Sequence, residues 1–299
     1  MRDSKKYFHP ETIKRISRLE LRAKYVVEGV LSGMHRSPFF GQSIEFRQHR
    51  DYVQGDDLRH VDWKVWARQD RLYVKQFEED TDLHCHLLVD VSQSMTYGEG
   101  VFSKYDYAAT LACCLAYLVI RQKDCVGCSI FASELGETVP CLGRATQLEA
   151  IAGLFDQSRT ESKTDMNSVL KTFSSKLNKK GLVIIISDFF DEPEALLRGM
   201  RLLRQQGHDL LIIHVLDRDE LEFPFDGPTH FEGLESSDEL KCNPAALRET
   251  YLEMMHEHRH ELKKTCDSAR ADYECCSTDT AFNTVLSRLL NRRMARQKR

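Results

Sequence analysis

The sequence predicts an α/β protein built on a mostly parallel sheet covered by helices on both faces. Three observations lead there. From Leu83 onward, strand-like and helix-like segments alternate. The segment "GLVIIISDF" is a short run of β-branched residues, as a strand buried on both faces requires. The stretches between such runs carry helical spacing and are long enough for crossover helices.

Taken in order, the 21-residue segment "ETIKRISRLELRAKYVVEGVL" spaces Ile13, Ile16, Leu19, Ala23, Val26 and Val27 at helical intervals, and Gly29 and Gly33 are expected to end that helix. From Gly41 to Glu79 the chain is charge-dense. Here a strand is expected near Ile44 to Phe46, a turn at Gly55, a short helix capped by Asp56 or Asp57, and a strand from Leu72 to Phe77. Then follow the strand "CHLLVDV", a helix from about Ser103 to Arg121, the strand "CVGCSIFA" with "LGETVP" beside it, and the helices "ATQLEAIAGLF" and "MNSVLKTFSSKL". The strand "GLVIIISDF", the helix "EPEALLRGMRLLRQQG" and the strand "HDLLIIHVLD" lead to a Gly/Pro-containing stretch, Glu222 to Asn243. A long helix from Pro244 to about Ala271, the strand "DYECCS" and a helix "AFNTVLSRLLNRRMARQK" close the chain. Two parts are expected, 1–82 and 83–299.

Composition excludes several classes of function. Lys plus Arg is 42 against 46 for Asp plus Glu, a net charge of −4, which gives no basis for nucleic-acid binding by the chain as a whole. The basic tail "RLLNRRMARQKR" suits a helix C-terminus, where cations are favoured. The start, "MRDSKKYFHP", has no apolar core of a leader, and the apolar run "YAATLACCLAYLVI" is too short to span a bilayer. No membrane insertion is therefore expected. Cysteines such as Cys113, Cys114, Cys125 and Cys128 sit inside apolar segments, so a reducing, cytoplasmic compartment is expected.

The chemistry concentrates where "HLLVDVSQSM" leaves its strand. Asp90, Ser92 and Ser94 alternate there, Asp188 stands at the same end of another buried strand, and Thr164 with Asp165 precedes a helix. In doubly wound sheets these strand ends share one rim. Hydroxyls and carboxylates are hard-oxygen donors suited to Mg²⁺ or Mn²⁺. Such a site, low in protein charge, leaves the metal a position for a carboxylate from outside. Serines beyond a strand more often serve turns, and Thr164 or Asp165 can equally cap the helix near Met166. "DEPE" reads as a capping box that makes Asp191 structural.

The order D-x-S-x-S, Thr, Asp, with 74 residues from Asp90 to Thr164 and 24 more to Asp188, resembles the metal-ion-dependent adhesion site of von Willebrand factor A domains. The upstream segment is similar to the family called domain of unknown function 58. That likeness is carried by Glu45, Phe46, Arg50, Tyr52, Gly55, Asp56, Asp57, Arg59, Asp62, Trp63, Lys64 and Arg68. It implies a von Willebrand A-like fold and association with a MoxR-type AAA+ ATPase, thought to act as a chaperone, or with its client. The expected function is therefore a non-enzymatic interaction module. Arg50, Asp56, Asp57, Arg59, Asp62 and Lys64 are either an ion-pair network or a docking face.

Rival readings are weaker. A metal-dependent hydrolase using the same rim would need a general base, and no His lies in the three motif loops. His256, Glu257 and His260 spell H-E-x-x-H, but in a mostly charged helix with no evident third ligand. "CVGC" lies in a strand, where residues three apart face opposite ways, so core cysteines are expected.

Overall fold

A computed structural model of the chain describes residues 13–34, 49–51, 73–75, 83–98, 100–157, 166–234 and 239–297. The chain divides into two compact units, one of residues 1–31 and 83–299 and the other of residues 32–82. The described residues 13–31 thus fall in the same unit as the α/β body, whereas the sequence groups them with the charged segment.

The first described helix, α1 (Leu19–Met34), is shorter at its start than the periodicity suggests and runs through Gly29 and Gly33. Its buried face is Ala23, Val26, Val27 and Val30, with Ile13 buried ahead of it. In the smaller unit, β1 (His49–Asp51) pairs antiparallel with β2 (Tyr73–Lys75). The latter falls within the expected strand from Leu72 to Phe77. The expected strand at Ile44 to Phe46 and the turn at Gly55 lie outside the described residues, as do Asp56, Asp57, Arg59, Asp62 and Lys64.

The main body follows in chain order. β3 (His84–Asp90) leads through a short 3₁₀ turn to α2 (Lys104–Arg121). Ser103 caps that helix, its hydroxyl accepting from the Asp106 amide at 3.1 Å. β4 (Cys125–Phe131), β5 (Leu135–Leu142), α3 (Gln147–Gln157) and α4 (Met166–Lys176) come next. They are succeeded by β6 (Leu182–Ser187), α5 (Pro193–Gln205), β7 (Asp209–Leu216) and a five-residue helix α6 (Arg218–Glu222). A small hairpin, β8 (Thr229–Glu232) with β9 (Glu239–Cys242), precedes α7 (Pro244–Ser268), β10 (Asp272–Ser277) and α8 (Phe282–Gln297).

Six strands form one sheet in the order β10-β7-β6-β3-β4-β5. All neighbours are parallel except β4 and β5. β6 is buried at every residue, as its run of β-branched side chains requires. One core fills the space between the sheet and α4, α5 and α7, with Leu88, Val183, Ile185, Ile212, Leu170 and Met200 in it. From β3 the chain passes to β4 on one side and later to β6 on the other. The topological switch point, where ligand crevices form in such sheets, therefore lies between the carboxyl ends of β3 and β6.

Arg22 ties α1 to the body. Its guanidinium donates to the Ile16 carbonyl at 2.9 and 3.1 Å and to the Thr110 hydroxyl at 2.9 Å, and lies 5.3 Å from the centre of the Phe102 ring. Burial lowers its affinity for the proton, and Asp106 works the other way. Replacing Arg22 by alanine leaves both acceptors without their donor in a dry site, so a loss of about 1–3 kcal/mol is expected in denaturant unfolding. An unfolding midpoint equal to wild type would show that α1 is held by its apolar face alone.

Candidate metal centre

The site is assembled by strand register. Val89 pairs with Ile186, which sets Asp90, the last residue of β3, beside Ser187, the last of β6, with Asp188 just beyond. Asp90, Ser92, Ser187 and Asp188 are all at most 3% exposed. One oxygen of Asp90 accepts from the Ser92 amide at 2.8 Å and the other from the Ser187 hydroxyl at 2.5 Å. The hydroxyls of Ser92 and Ser94 lie 3.0 Å apart. Asp90, Ser94, Ser187 and Asp188 line one open cavity of about 400 Å³, whose rim includes Tyr97, Phe190 and Leu234.

The structure thus brings together four of the five expected ligand residues. Thr164, with Asp165, lies outside the described residues. Met166, two residues beyond Thr164, lines the cavity. Asp191 plays a different structural part from the one its capping-box spelling suggests. Its carboxylate accepts from the Met166 amide at 3.1 Å and so holds the start of α4, while the N-cap of α5 is Glu192.

Lys104, Glu220 and Ser187 belong to this constellation although no motif marks them. Lys104 opens α2 and is 1% exposed. Its ammonium donates to Asp188 at 2.8 Å and to Glu220 at 2.6 Å, and stands 5.1 Å from the centre of the Phe190 ring. Glu220 is itself anchored, because its other oxygen accepts from the Asp217 amide at 2.7 Å in the capping box of α6. Burial opposes the charge on Lys104, but the two carboxylates outweigh it and hold the ammonium above its ordinary range. Burial also lifts the Glu220 carboxyl, with Lys104 opposing.

Among the described residues, no cation forms an ion pair with Asp90. Burial first, and then the Asp188 charge, raise its carboxyl above the ordinary range, against the hydrogen bonds from Ser187 and Ser92. Two carboxylates and clustered hydroxyls, with one carboxylate electrostatically under-compensated, make a donor set that fits a hard divalent cation. Among the described residues, no group of three or more His, Cys, Asp or Glu side chains is placed to hold a metal. A metal centre built from the described residues alone would therefore draw on the serine hydroxyls as well as the carboxylates.

The backbone after Asp188 is unusual. Phe189 is left-handed, with φ 49°, yet its side chain is buried. Phe190 is turned outward, 49% exposed, and stacks on His258 of α7 with ring centres 5.6 Å apart. His256, Glu257 and His260 of the H-E-x-x-H spelling are exposed on α7. Cys128 is buried in β4 as a core residue, and Cys125 is half-buried at its start.

The family model described as "protein of unknown function DUF58" matches residues 48–261. The chain belongs to this family. The DUF58 match runs from the described β-pair of the smaller unit through the candidate-site residues to α7. Among proteins similar to this DUF58 chain is the uncharacterized protein Rv1480 of Mycobacterium tuberculosis. It is 29% identical over 276 residues, covering 90% of this chain and 86% of that protein. The uncharacterized protein Mb1516 of Mycobacterium bovis matches with the same identity and coverage. Similar solved structures include BatB from Bacteroides thetaiotaomicron, at 13% identity over 70% of this chain and 98% of that one, with a TM-score of 0.48. Another is the SpRpn10 VWA domain, at 7% identity over 69% and 94%, with a TM-score of 0.43. Among the described residues no helix is long and apolar enough to cross a membrane.

Proposed function

We propose that this DUF58 chain is a non-enzymatic protein-interaction module whose strand-end site holds Mg²⁺ or Mn²⁺ and offers it to an acidic side chain of a partner. The observation that supports this most is the meeting of Asp90, Ser94 and Asp188 at the switch point, around a cavity open to solvent, with the Ser92 hydroxyl 3.0 Å from that of Ser94. Asp90 and the two serine hydroxyls are the proposed direct ligands. Asp188 is proposed to act directly or through water, and Thr164 to complete the set. When bound, the cation supplies a Lewis-acidic position for a carboxylate oxygen. The chain's own groups hold that position in place. Ser187 and the Ser92 amide orient Asp90, and Phe190 and Leu234 give the rim an apolar border for a partner to cover.

The family resemblance points to a MoxR-type AAA+ ATPase, or its client, as that partner in a cytoplasmic setting. Arg50, Asp56, Asp57, Arg59, Asp62 and Lys64 are the proposed additional docking residues. A metal-dependent hydrolase is less well supported. Asp191 already accepts from the Met166 amide, Glu220 is committed to Lys104, and Glu232 is exposed on the rim, 3.6 Å from His230. None is poised as a general base.

The test is capture of the co-expressed ATPase by tagged wild-type chain in Mg²⁺ and in EDTA. Retention in Mg²⁺ that falls at least tenfold in EDTA, and in Ser94→Ala with Mg²⁺ present, is expected. Capture indifferent to both would refute metal bridging, and EDTA-sensitive phosphoesterase activity would move the assignment to the hydrolase.

A further inference from the structure

A lysine at the first position of a helix is disfavoured by the helix dipole, and burying its ammonium adds a desolvation cost. Lys104 accepts both disadvantages while being 1% exposed. What it gains is Asp188 at 2.8 Å and Glu220 at 2.6 Å. Asp188 is the carboxylate that also lines the cavity beside Asp90, so two cations, one fixed to the protein and one from solution, have claims on one side chain.

We propose that Lys104 is a tethered cation that competes with the divalent metal for Asp188, and that Glu220 sets the outcome by giving the ammonium an alternative partner. This rests on the metal-site reading above. Without metal, the ammonium neutralises Asp188 and keeps two buried carboxylates from facing each other unscreened. With metal, Asp188 turns its charge to the new cation, and Lys104 keeps Glu220. Glu220 can serve as that refuge because its second oxygen is fixed by the Asp217 amide, so it does not follow Asp188. The Phe190 ring, its centre 5.1 Å from the ammonium, stabilises that charge through its π face.

Opposite signs would follow from any two opposite charges near a cation; what marks competition for Asp188 is that the Glu220 effect depends on Lys104. Mn²⁺ is titrated calorimetrically into the full chain as wild type, Lys104→Met, Glu220→Gln and the double variant, each checked for folding by circular dichroism. Lys104→Met is expected to bind Mn²⁺ about tenfold more tightly, because a repelling competitor is gone. Glu220→Gln is expected to bind about tenfold more weakly, because the ammonium is left with Asp188 alone. In the Lys104→Met background the Glu220→Gln effect should shrink below about threefold, since Glu220 acts through the lysine. Equal affinities in wild type and both single variants, or an undiminished Glu220 effect without Lys104, would overturn the proposal while leaving the metal site standing. Absence of binding in every protein would remove the metal reading itself. Binding only once Lys104 is replaced would be the extreme form of the competition. If Lys104→Met does not fold, Glu220→Gln decides alone: wild-type affinity there overturns the proposal.

Discussion

Mg²⁺ or Mn²⁺ titrated into the wild-type chain at pH 7.5 is expected to bind at one site, and Asp90→Ala to give only the heat of dilution. Outer-shell partners of metal ligands typically matter by about 10–100-fold. Loss of a buried carboxylate ligand should therefore exceed about 100-fold on that scale. Equal heats in the two proteins would eliminate the site. The dependence on pH has a definite sign. Burial and then Asp188 raise the Asp90 carboxyl, so a proton must leave before that oxygen can serve as a ligand, and metal affinity should climb as pH rises.

Stability of the metal-free protein runs the opposite way. A folded-state carboxyl raised above its unfolded value holds its proton longer than the unfolded chain does. Its contribution is complete below the unfolded value and is lost as pH rises through the folded one. Excess Mg²⁺ should therefore raise Tm more at pH 8 than at pH 5.5. Asp90→Asn, which removes the charge but keeps the shape, should melt at or above wild type in EDTA at pH 8. A gain of about 1–2 kcal/mol corresponds to roughly 2–8 °C for a domain of this size. A lower Tm in Asp90→Asn under those conditions would show that the Asp90 hydrogen bonds outweigh its repulsion with Asp188.

The second large effect is expected from a single methyl group. A Cβ added at Gly181 would collide with the carbonyl oxygen of His84 and lie 2.8 Å from its carbonyl carbon. Both partners are backbone, at the entry to the two strands that carry the site, and the Gly181 carbonyl accepts from the Asp209 amide at 2.9 Å. No side chain can swing aside to make room. Gly181→Ala should lose about 3 kcal/mol or more, at the upper end of overpacking costs, and should lower metal affinity as β3 and β6 shift. Gly153→Ala is the control. It lies inside α3 with nothing within 4 Å of the added carbon, so a change between neutral and about 1 kcal/mol of stabilisation is expected there. Similar unfolding curves for the two variants would contradict this account.

How much of this was legible in the sequence depended on the kind of signal. β6 is written in consecutive β-branched residues, and the expected helix from Ser103 is α2 almost residue for residue, because apolar periodicity and a serine cap agree there. That Asp90, Ser92, Ser94 and Asp188 share one rim was legible because strand ends converge in doubly wound sheets whatever their distance along the chain. Lys104 was missed because a lysine in a helix ordinarily reads as solvated. Its warning sign was position, a cation opening an otherwise apolar helix. Glu220 was missed because α6 is only five residues long, too short for any periodicity to register. The β8–β9 hairpin hid for the same reason, with four residues in each strand. Asp191 was assigned to the wrong helix because a capping box is a local pattern, whereas its partner, Met166, is 25 residues away.

The inverted turn at Phe189 has a mechanical implication. A left-handed backbone at a bulky residue costs about 1–2 kcal/mol. Here it is held by a ring wedged 3% exposed among core side chains. The buried ring anchors the peptide that leaves β6, so the backbone carrying Asp188 is placed by the packing of the sheet. The folding free energy of the sheet, not an incoming ligand, then offsets the strain at Phe189.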